Sequence, residues 1–121
     1  MYYYNYVEII TKGVKIVMTI EKKQDVKLTN FLLSLHFNIG SIGFKYWKYA
    51  IFYKTKDKIK YNTMEEVYNK IAKDCNTTRT RVERDMRTCS NTAKLKIQKE
   101  YNYNMPLTQK AILFLLIEKI N

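Results

Sequence analysis

The segment from Ile71 to Val82 constrains the fold of this chain more than any other, because it has the pattern of two helices joined by a tight turn. A small residue, Ala72, stands where two helices would cross closely, and a short polar turn follows three or four residues later. Val82 then supplies the apolar side chain that packs the second helix onto the first. The pattern predicts a helix-turn-helix whose second helix faces outward, where it can enter a major groove.

Apolar residues from about residue 26 onward recur at intervals of three and four, the spacing of one helix face. The apolar stripes of the first four predicted helices are Leu28, Phe31, Leu32, Leu35 and Ile39; Phe44, Trp47 and Ile51; Val67, Ile71 and Cys75; and Val82, Met86, Cys89 and Ala93. Gly40 and Gly43 are predicted to bracket the turn between the first two helices. A last helix is predicted to run to about Ile120.

Residues that favour helix ends support these helices. Thr63, followed by two glutamates, predicts an N-cap and an acidic first turn for the third helix. Thr80 and Glu83 have the spacing of a capping box near the start of the fourth helix. Pro106 is predicted to lie in the first turn of the last helix, where proline is tolerated.

The first twenty residues differ from the rest because they are rich in tyrosine, valine and isoleucine. Two β-prone runs, Tyr3–Ile10 and Val14–Ile20, flank the short sequence Thr11-Lys12-Gly13, which predicts a β-hairpin-like extension. We therefore predict a β-prone extension over residues 1–24 and a helical domain over residues 25–121. The predicted fold class is mainly α, with the helix-turn-helix in a bundle of about five or six helices.

The charge balance narrows the class of partner. Twenty-two lysines and arginines against eleven aspartates and glutamates leave a net charge of +11 at pH 7. A field of this size favours polyanions, which are nucleic acids or acidic membrane surfaces. No apolar run approaches the length of a spanning helix and no signal peptide is recognisable, so we expect a cytoplasmic protein without a membrane partner.

The sequence contains no recognisable pattern of catalytic or metal-binding residues. The chain has two cysteines and one histidine, with no Cys-x-x-Cys motif, so we expect no zinc site. Three glycines and one proline leave no glycine-rich phosphate loop. We therefore expect no enzyme activity, no cofactor, no metal and no small-molecule substrate. His36, Cys75 and Cys89 are expected to be structural residues.

The distribution of arginine points to the second helix of the motif. Among the twenty-two basic residues, the only four arginines are Arg79, Arg81, Arg84 and Arg87. The planar guanidinium can grip guanine O6 and N7 or a phosphate with two hydrogen bonds, whereas lysine is a flexible point charge. The second helix of the motif is therefore suited to contacts with nucleic acid.

Helical geometry separates this second helix into two faces, with the apolar stripe on one side. The opposite side carries Thr80, Arg84, Arg87, Thr88 and Asn91. Arg81 lies at the edge of that polar side, and Arg79 lies in the first turn. A solvated helix face would show the same pattern, but the turn pattern and the exclusive use of arginine together favour binding to duplex DNA.

Aromatic residues and lysines outside this helix have both a structural and a functional interpretation. Tyr46, Trp47 and Tyr49 are able to stack on bases, but aromatic residues at helical spacing are usually core. Six lysines are suited to phosphate contacts or electrostatic steering, namely Lys45, Lys48, Lys54, Lys56, Lys58 and Lys60. For any single lysine among them, a solvated side chain is the simpler interpretation.

Residues 71–87 read Ile-Ala-Lys-Asp-Cys-Asn-Thr-Thr-Arg-Thr-Arg-Val-Glu-Arg-Asp-Met-Arg. Upstream stand Leu28-Thr29-Asn30 and Gly43-Phe44-x-Tyr46-x-x-x-Ala50-Ile51, and downstream stands Pro106-Leu107-Thr108. With these motifs, the chain over roughly residues 26–121 resembles the C-terminal DNA-binding effector domain of the stage-zero sporulation response regulator of endospore-forming bacteria. The core of that family reads close to Ile-Ala-Lys-Lys-Tyr-Asn-Thr-Thr-x-Ser-Arg-Val-Glu-Arg-x-Ile-Arg.

The resemblance implies an all-helical domain of about six helices that binds duplex DNA sequence-specifically in transcriptional regulation, often as tandem copies. By matched position, base contacts would fall to Arg81, Glu83, Arg84 and Arg87. A carboxylate such as that of Glu83 can accept a hydrogen bond from a cytosine amino group. The expected phosphate contacts are Thr77, Thr78, Arg79, Thr80, Thr88, Asn91 and Lys94. Double-stranded DNA is the expected partner, with a homodimer expected on tandem sites.

The chain also departs from the family. The phospho-accepting receiver domain has no counterpart, so we expect control by a signal other than aspartate phosphorylation. His36 and Asn38 stand where the family tends to have glycine and proline, and the segment before Pro106 is shorter. Asp85 adds a negative charge beside the polar face of the second helix.

Two further functions remain open from the sequence. One is a protein-interaction module, such as an antagonist of a full-length regulator, that keeps the fold without specific DNA reading. The predicted hairpin and Asp85 would suit that role. The other is a basic binder of DNA or RNA whose affinity follows salt and ignores sequence.

Overall fold

Six helices make up most of residues 24–120, which are the residues that the computed structural model describes. The first, α1, is described over residues 24–34. The others are α2 (Ile42–Lys56), α3 (Met64–Asp74), α4 (Arg79–Asn91), α5 (Lys94–Glu100) and α6 (Gln109–Ile120). No strand occurs among these residues, so the prediction of a mainly α fold with about six helices is confirmed. The predicted hairpin lies outside the described residues, and the boundary between residues 24 and 25 stays a prediction.

The centre of the core is the crossing of α2 with α4. Trp47 is fully buried, its indole Nε1 donates to the backbone carbonyl of Met86 at 2.9 Å, and the ring of Phe37 meets its edge. Tyr46 and Tyr49 are buried as well, so the prediction that these aromatic residues are core is confirmed. The inner side of α4 is thus held against a long, largely buried helix.

Gly43 is the point where α2 and α4 come closest. It was predicted to bracket a turn, but it lies in the first turn of α2, and Ser41 caps that helix. A β-carbon at this position would lie 2.0 Å from the backbone carbonyl oxygen of Asp85. Only glycine permits this approach, so residue 43 sets the spacing between the two helices.

Helices α1, α3 and α5 end in the same way, with a left-handed residue that is not glycine. These residues are His36 (φ 69°), Asn76 (φ 53°) and Asn102 (φ 50°). In each case the next amide donates back to a carbonyl in the last turn, as Phe37 does to Leu32 at 3.1 Å. This is the Schellman arrangement, in which glycine is the usual residue.

The helix ends confirm one prediction and correct two others. Thr63 caps α3 as predicted, accepting from the amide of Glu66. The cap of α4 is Thr78, which accepts from the amide of Arg81 at 3.2 Å, so the predicted capping box from Thr80 is wrong. The start of α6 at Gln109 leaves Pro106 outside the helix, since the hydroxyl of Thr108 accepts from the amide of Ala111.

The predicted stripes of the first and fourth helices were each too long. Ile39 lies beyond the Schellman turn that ends α1, and it is exposed. Ala93 is fully buried, but it lies at the break between α4 and α5 rather than in α4. In both cases an apolar residue at helical spacing follows a helix end that the spacing does not reveal.

Candidate nucleic-acid interface

The turn between α3 and α4 is built by backbone hydrogen bonds. Asn76 takes the left-handed conformation, and the amide of Thr77 donates to the carbonyl of Ala72 at 2.9 Å. The hydroxyl of Thr78 then caps α4. Ala72 and Val82 are buried where the two helices meet. The helix-turn-helix predicted from these residues is therefore present.

The two faces of α4 differ sharply in exposure. Val82, Met86, Cys89 and Ser90 are fully buried on the inner face. Burial raises the pKa of the Cys89 thiol to about 11, which fits its predicted role as a small apolar side chain. The exposed residues of α4 are Thr80, Arg81, Arg84, Arg87, Thr88 and Asn91. The structure thus brings most of the predicted contact residues together on one solvent-facing side.

Glu83 lies between two arginines on this face. Its carboxylate is 3.5 Å from Nη1 of Arg79 and 3.3 Å from Nη1 of Arg87. Both pairs have the i,i+4 spacing of neighbouring helix turns. The Glu83 carboxylate thus lies between the guanidinium groups of Arg79 and Arg87 on the outer side of α4.

The side chain of Arg79 packs against α3. Its Nη2 lies 2.5 Å from a carboxylate oxygen of Glu65, and its guanidinium lies 5.5 Å from the ring centre of Tyr68. Burial is the main cause that raises the pKa of Tyr68 to about 12, and the charge of Glu83 adds to it. These side-chain contacts link the first two turns of α3 to the first turn of α4.

Arg84 and Arg81 have different surroundings. The Nε of Arg84 is 3.5 Å from the Asp85 carboxylate, and its side chain is 58% exposed. Arg81 has no ion pair with any residue from 24 to 120, although its charge acts on the nearby hydroxyl of Tyr46. Burial raises the pKa of Tyr46, and its side-chain hydrogen bond with Thr77 opposes that rise. Arg81 is therefore the arginine of α4 most available to an incoming anion.

The remaining predicted phosphate contacts lie toward the two ends of α4. Thr77 and Thr78 belong to the turn before it. Thr88 donates its hydroxyl to the carbonyl of Arg84 at 3.0 Å. Lys94 lies beyond the helix break, beside Arg87 in an open groove of about 360 Å³. The structure brings Lys94 to the same groove as Arg87, whereas Arg79 is directed toward α3.

Sequence reasoning missed the side chains that brace α4 from behind. The amide of Gln109, at the start of α6, donates to the backbone carbonyl of Glu83 at 2.8 Å and accepts from the Tyr68 hydroxyl at 2.6 Å. Ser90, fully buried, donates to the carbonyl of Arg87 at 3.2 Å. The sequence around Gln109 does not predict these hydrogen bonds, because Tyr68 and Glu83 are distant from it along the chain.

A helix-turn-helix with an apolar inner face and an arginine-bearing outer face defines the class of helix-turn-helix DNA-binding domains. The family model described as Sporulation initiation factor Spo0A C terminal matches residues 28–109, and the chain belongs to this family. It is a family of helical DNA-binding domains of transcription regulators, and the resemblance seen in the sequence is confirmed. Neither the comparison with curated proteins nor the comparison with solved structures gave a match.

Two further observations concern the described residues alone. No helix between residues 24 and 120 is long and apolar enough to span a membrane. The same part of the chain holds no group of three or more histidine, cysteine, aspartate or glutamate side chains arranged to bind a metal ion. The matched family is one of DNA-binding domains and not of enzymes.

Proposed function

We propose that this protein regulates transcription by binding duplex DNA sequence-specifically, with α4 lying in the major groove. The observation that carries the proposal is the asymmetry of α4, which is fully buried at Val82 and Met86 and exposed at Arg81, Arg84 and Arg87. A helix held rigidly by its inner face can present its outer side chains to base edges at low entropic cost.

Base contacts are assigned to Arg81, Glu83, Arg84 and Arg87. The three exposed arginines can each donate two hydrogen bonds to guanine O6 and N7. Glu83 can accept from a cytosine amino group while still paired with Arg87 at 3.3 Å. The pairing supports this role because it favours an orientation of the carboxylate toward the outer face of α4.

Phosphate contacts are assigned to Thr77, Thr78, Arg79, Thr80, Thr88, Asn91 and Lys94. Phosphate contacts fix the position of a protein on the duplex, and base contacts specify the sequence. Arg79 can serve this role only by leaving Glu65, or by reaching a phosphate with a nitrogen atom that Glu65 does not engage. Lys94 is free to act as a point charge near the far end of α4.

Binding to DNA selected from a random duplex pool tests the proposal. Fluorescence anisotropy of the selected duplex and its scramble, each at two salt concentrations, should reveal a sequence preference that persists at the higher salt. Equal affinities for all duplexes that fall together with added salt would contradict sequence-specific recognition and indicate a general basic binder.

A protein-interaction module is the second candidate, favoured by the charges within the face itself. Glu83 and Asp85 together pair with Arg79, Arg84 and Arg87, so part of the positive charge is neutralised inside the molecule. In that case the protein would form a stable complex with a full-length regulator and show no duplex preference. Size-exclusion chromatography of the mixture, alongside the anisotropy measurement, separates the two functions.

Binding as a homodimer on tandem sites belongs to the same proposal. Analytical ultracentrifugation of the protein on duplexes with one or two copies of the selected site would measure the number of chains bound. Two chains bound more tightly together than singly would support the dimer, and independent binding would contradict it.

A further inference from the structure

The end of α2 and the turn that follows it present a cluster of exposed lysines that form no ion pair with the carboxylates of the described part of the chain. Residues 55–60 are all exposed, and Lys56, Lys58 and Lys60 alternate through them. None of the three forms an ion pair with a residue between 24 and 120. The nearby carboxylate of Asp57 instead accepts from the backbone amide of Lys60 at 3.0 Å. With three lysines and the single carboxylate of Asp57, the segment keeps a net positive charge.

Hydrogen bonds and a ring contact brace this turn from inside. The ammonium of Lys54 donates to the carbonyls of Tyr61 and Asn62 at 2.7 and 3.2 Å. The ring of Tyr61 is buried 5.4 Å from that of Tyr53. Ile59 stands 91% exposed at the tip between two lysines. A preformed cationic turn loses little conformational entropy when it meets an anionic surface.

The turn is connected to the first turn of α4 through α3. It leads directly into Thr63, the cap of α3, and the following turn contains Glu65. The carboxylate of Glu65 is 2.5 Å from Arg79, in the first turn of α4. In a helix-turn-helix complex the second helix enters the groove by its N-terminal part, and the first helix crosses the backbone. The turn that precedes α3 would then run beside the phosphates flanking the groove.

We propose that the turn at residues 57–62 is a second DNA-backbone contact, in which Lys58 and Lys60 neutralise phosphates outside the bases read by α4. This inference rests on the proposed function. Lysine suits the role because a flexible point charge follows the backbone without reading sequence. The turn would increase the affinity for DNA and lengthen the stretch of DNA backbone that the protein protects. The sequence preference would still depend on α4.

The test compares the wild-type protein with the double variant Lys58→Gln, Lys60→Gln and with the control variant Lys99→Gln. Lys99 is also an exposed lysine, but it lies in α5, after the C-terminal end of α4. Affinity for the selected duplex and for its scramble would be measured over a series of salt concentrations. Circular dichroism would verify that each variant is folded, which the exposure of the two lysines favours.

The double variant should bind both duplexes more weakly by the same factor, so that their affinity ratio is unchanged. Its plot of log K against log salt concentration should be shallower by about 1.8, because two phosphate contacts are lost at about 0.9 each. Hydroxyl-radical footprinting should lose protection only outside the site read by α4. The control variant should behave as the wild type does.

Wild-type affinity, slope and footprint in the double variant would overturn the inference and leave the proposed function intact. Absence of duplex binding by the wild-type protein would overturn both. Because Ile59 is exposed beside the lysines, binding of the turn to an anionic lipid surface must also be tested. Sedimentation with phosphatidylserine vesicles that is lost in the double variant, while its DNA binding is unchanged, would overturn the inference and assign the turn to membranes.

Discussion

His36 adopts a left-handed backbone conformation that is usual for glycine. It holds a φ of 69° at the end of α1, a conformation that glycine adopts at lower cost. The amides of His36 and Phe37 both bond back into the last turn, at 3.0 and 3.1 Å. The loop therefore keeps the backbone that a glycine would supply, and the histidine bears the steric cost of the left-handed region.

Replacing that histidine with glycine should stabilise the protein. We expect His36→Gly to raise the free energy of unfolding by about 0.5–1 kcal/mol, because relief of the β-carbon strain exceeds the added freedom of the unfolded chain. Urea unfolding monitored by circular dichroism measures the change. His36→Ala serves as the control, since it keeps the β-carbon and should bring no gain. Equal stabilisation by both variants would show that the imidazole, rather than the backbone, is unfavourable.

Arg84 is the best residue for separating recognition from affinity. Its side chain is 58% exposed, and its Nε lies 3.5 Å from the carboxylate of the adjacent Asp85. We expect Arg84→Ala to weaken binding to the selected duplex by ~1–3 kcal/mol and to relax the preferred sequence. Anisotropy with the selected duplex and single-base variants measures both effects. Unchanged affinity for the selected duplex would contradict the assignment of base contacts to this face.

At the scale of the elements, the spacing of α2 and α4 depends on Gly43. A β-carbon there would meet backbone atoms of Asp85, which cannot rotate away as a side chain can. Gly43→Ala should therefore cost at least ~2 kcal/mol of unfolding free energy, through helix displacement. Gly40→Ala is the matched control, because its nearest contact is a side-chain oxygen at 3.4 Å and its φ is not positive. Similar losses in both variants, by urea unfolding, would contradict the proposed contact.

Tyr68 couples three helices through one hydroxyl. It donates to Gln109 of α6, which in turn donates to the carbonyl of Glu83 in α4. Since the folded protein raises the pKa of Tyr68 from its ordinary 10.0 to about 12, the folded state holds this proton more tightly than the unfolded state. The corresponding stability is complete below pH 10 and is lost as the pH rises from 10 toward 12.

The Tyr68→Phe variant should accordingly show a smaller loss of stability between pH 10 and 12 than the wild-type protein. Burial also raises the pKa of Tyr53, whose hydroxyl donates to Asp74, so part of the alkaline loss should remain in the variant. Unfolding free energies from urea titrations at pH 8, 10 and 11 measure the difference. An identical pH dependence in the two proteins would show that Tyr68 is not the group responsible.

At the scale of the whole molecule, the net charge of +11 should appear mainly in the salt dependence of binding. Lys94 is a suitable probe because it is close to the reading helix but outside it, in the groove beside Arg87. We expect Lys94→Ala to weaken all duplexes by a similar factor and to reduce the salt slope by about 0.9. Salt titrations with the selected and scrambled duplexes measure this, and a loss confined to the selected duplex would make Lys94 a base contact.

Local patterns predicted those parts of the fold that depend on neighbouring residues. Spacing of apolar side chains located five of the six helices between residues 24 and 120 but did not separate α5 from α4, and Ala72 with Val82 located the helix-turn-helix. The same patterns failed where two local signals competed at a helix end. Thr78 and Thr80 both precede a run of helix-forming residues, and only the hydroxyl of Thr78 accepts from an amide of the first turn of α4. A sequence spacing cannot decide between such neighbours.

The sequence by itself determined that this chain is mainly helical, that it carries a helix-turn-helix, and that its arginines share one helix. These properties follow from periodicity and composition, which act along the chain. Only the tertiary structure decided that Gly43 meets the carbonyl of Asp85, that Gln109 braces α4, and that Glu65 draws Arg79 toward α3. Each of those contacts joins residues that are far apart in sequence, and its geometry depends on how two helices cross.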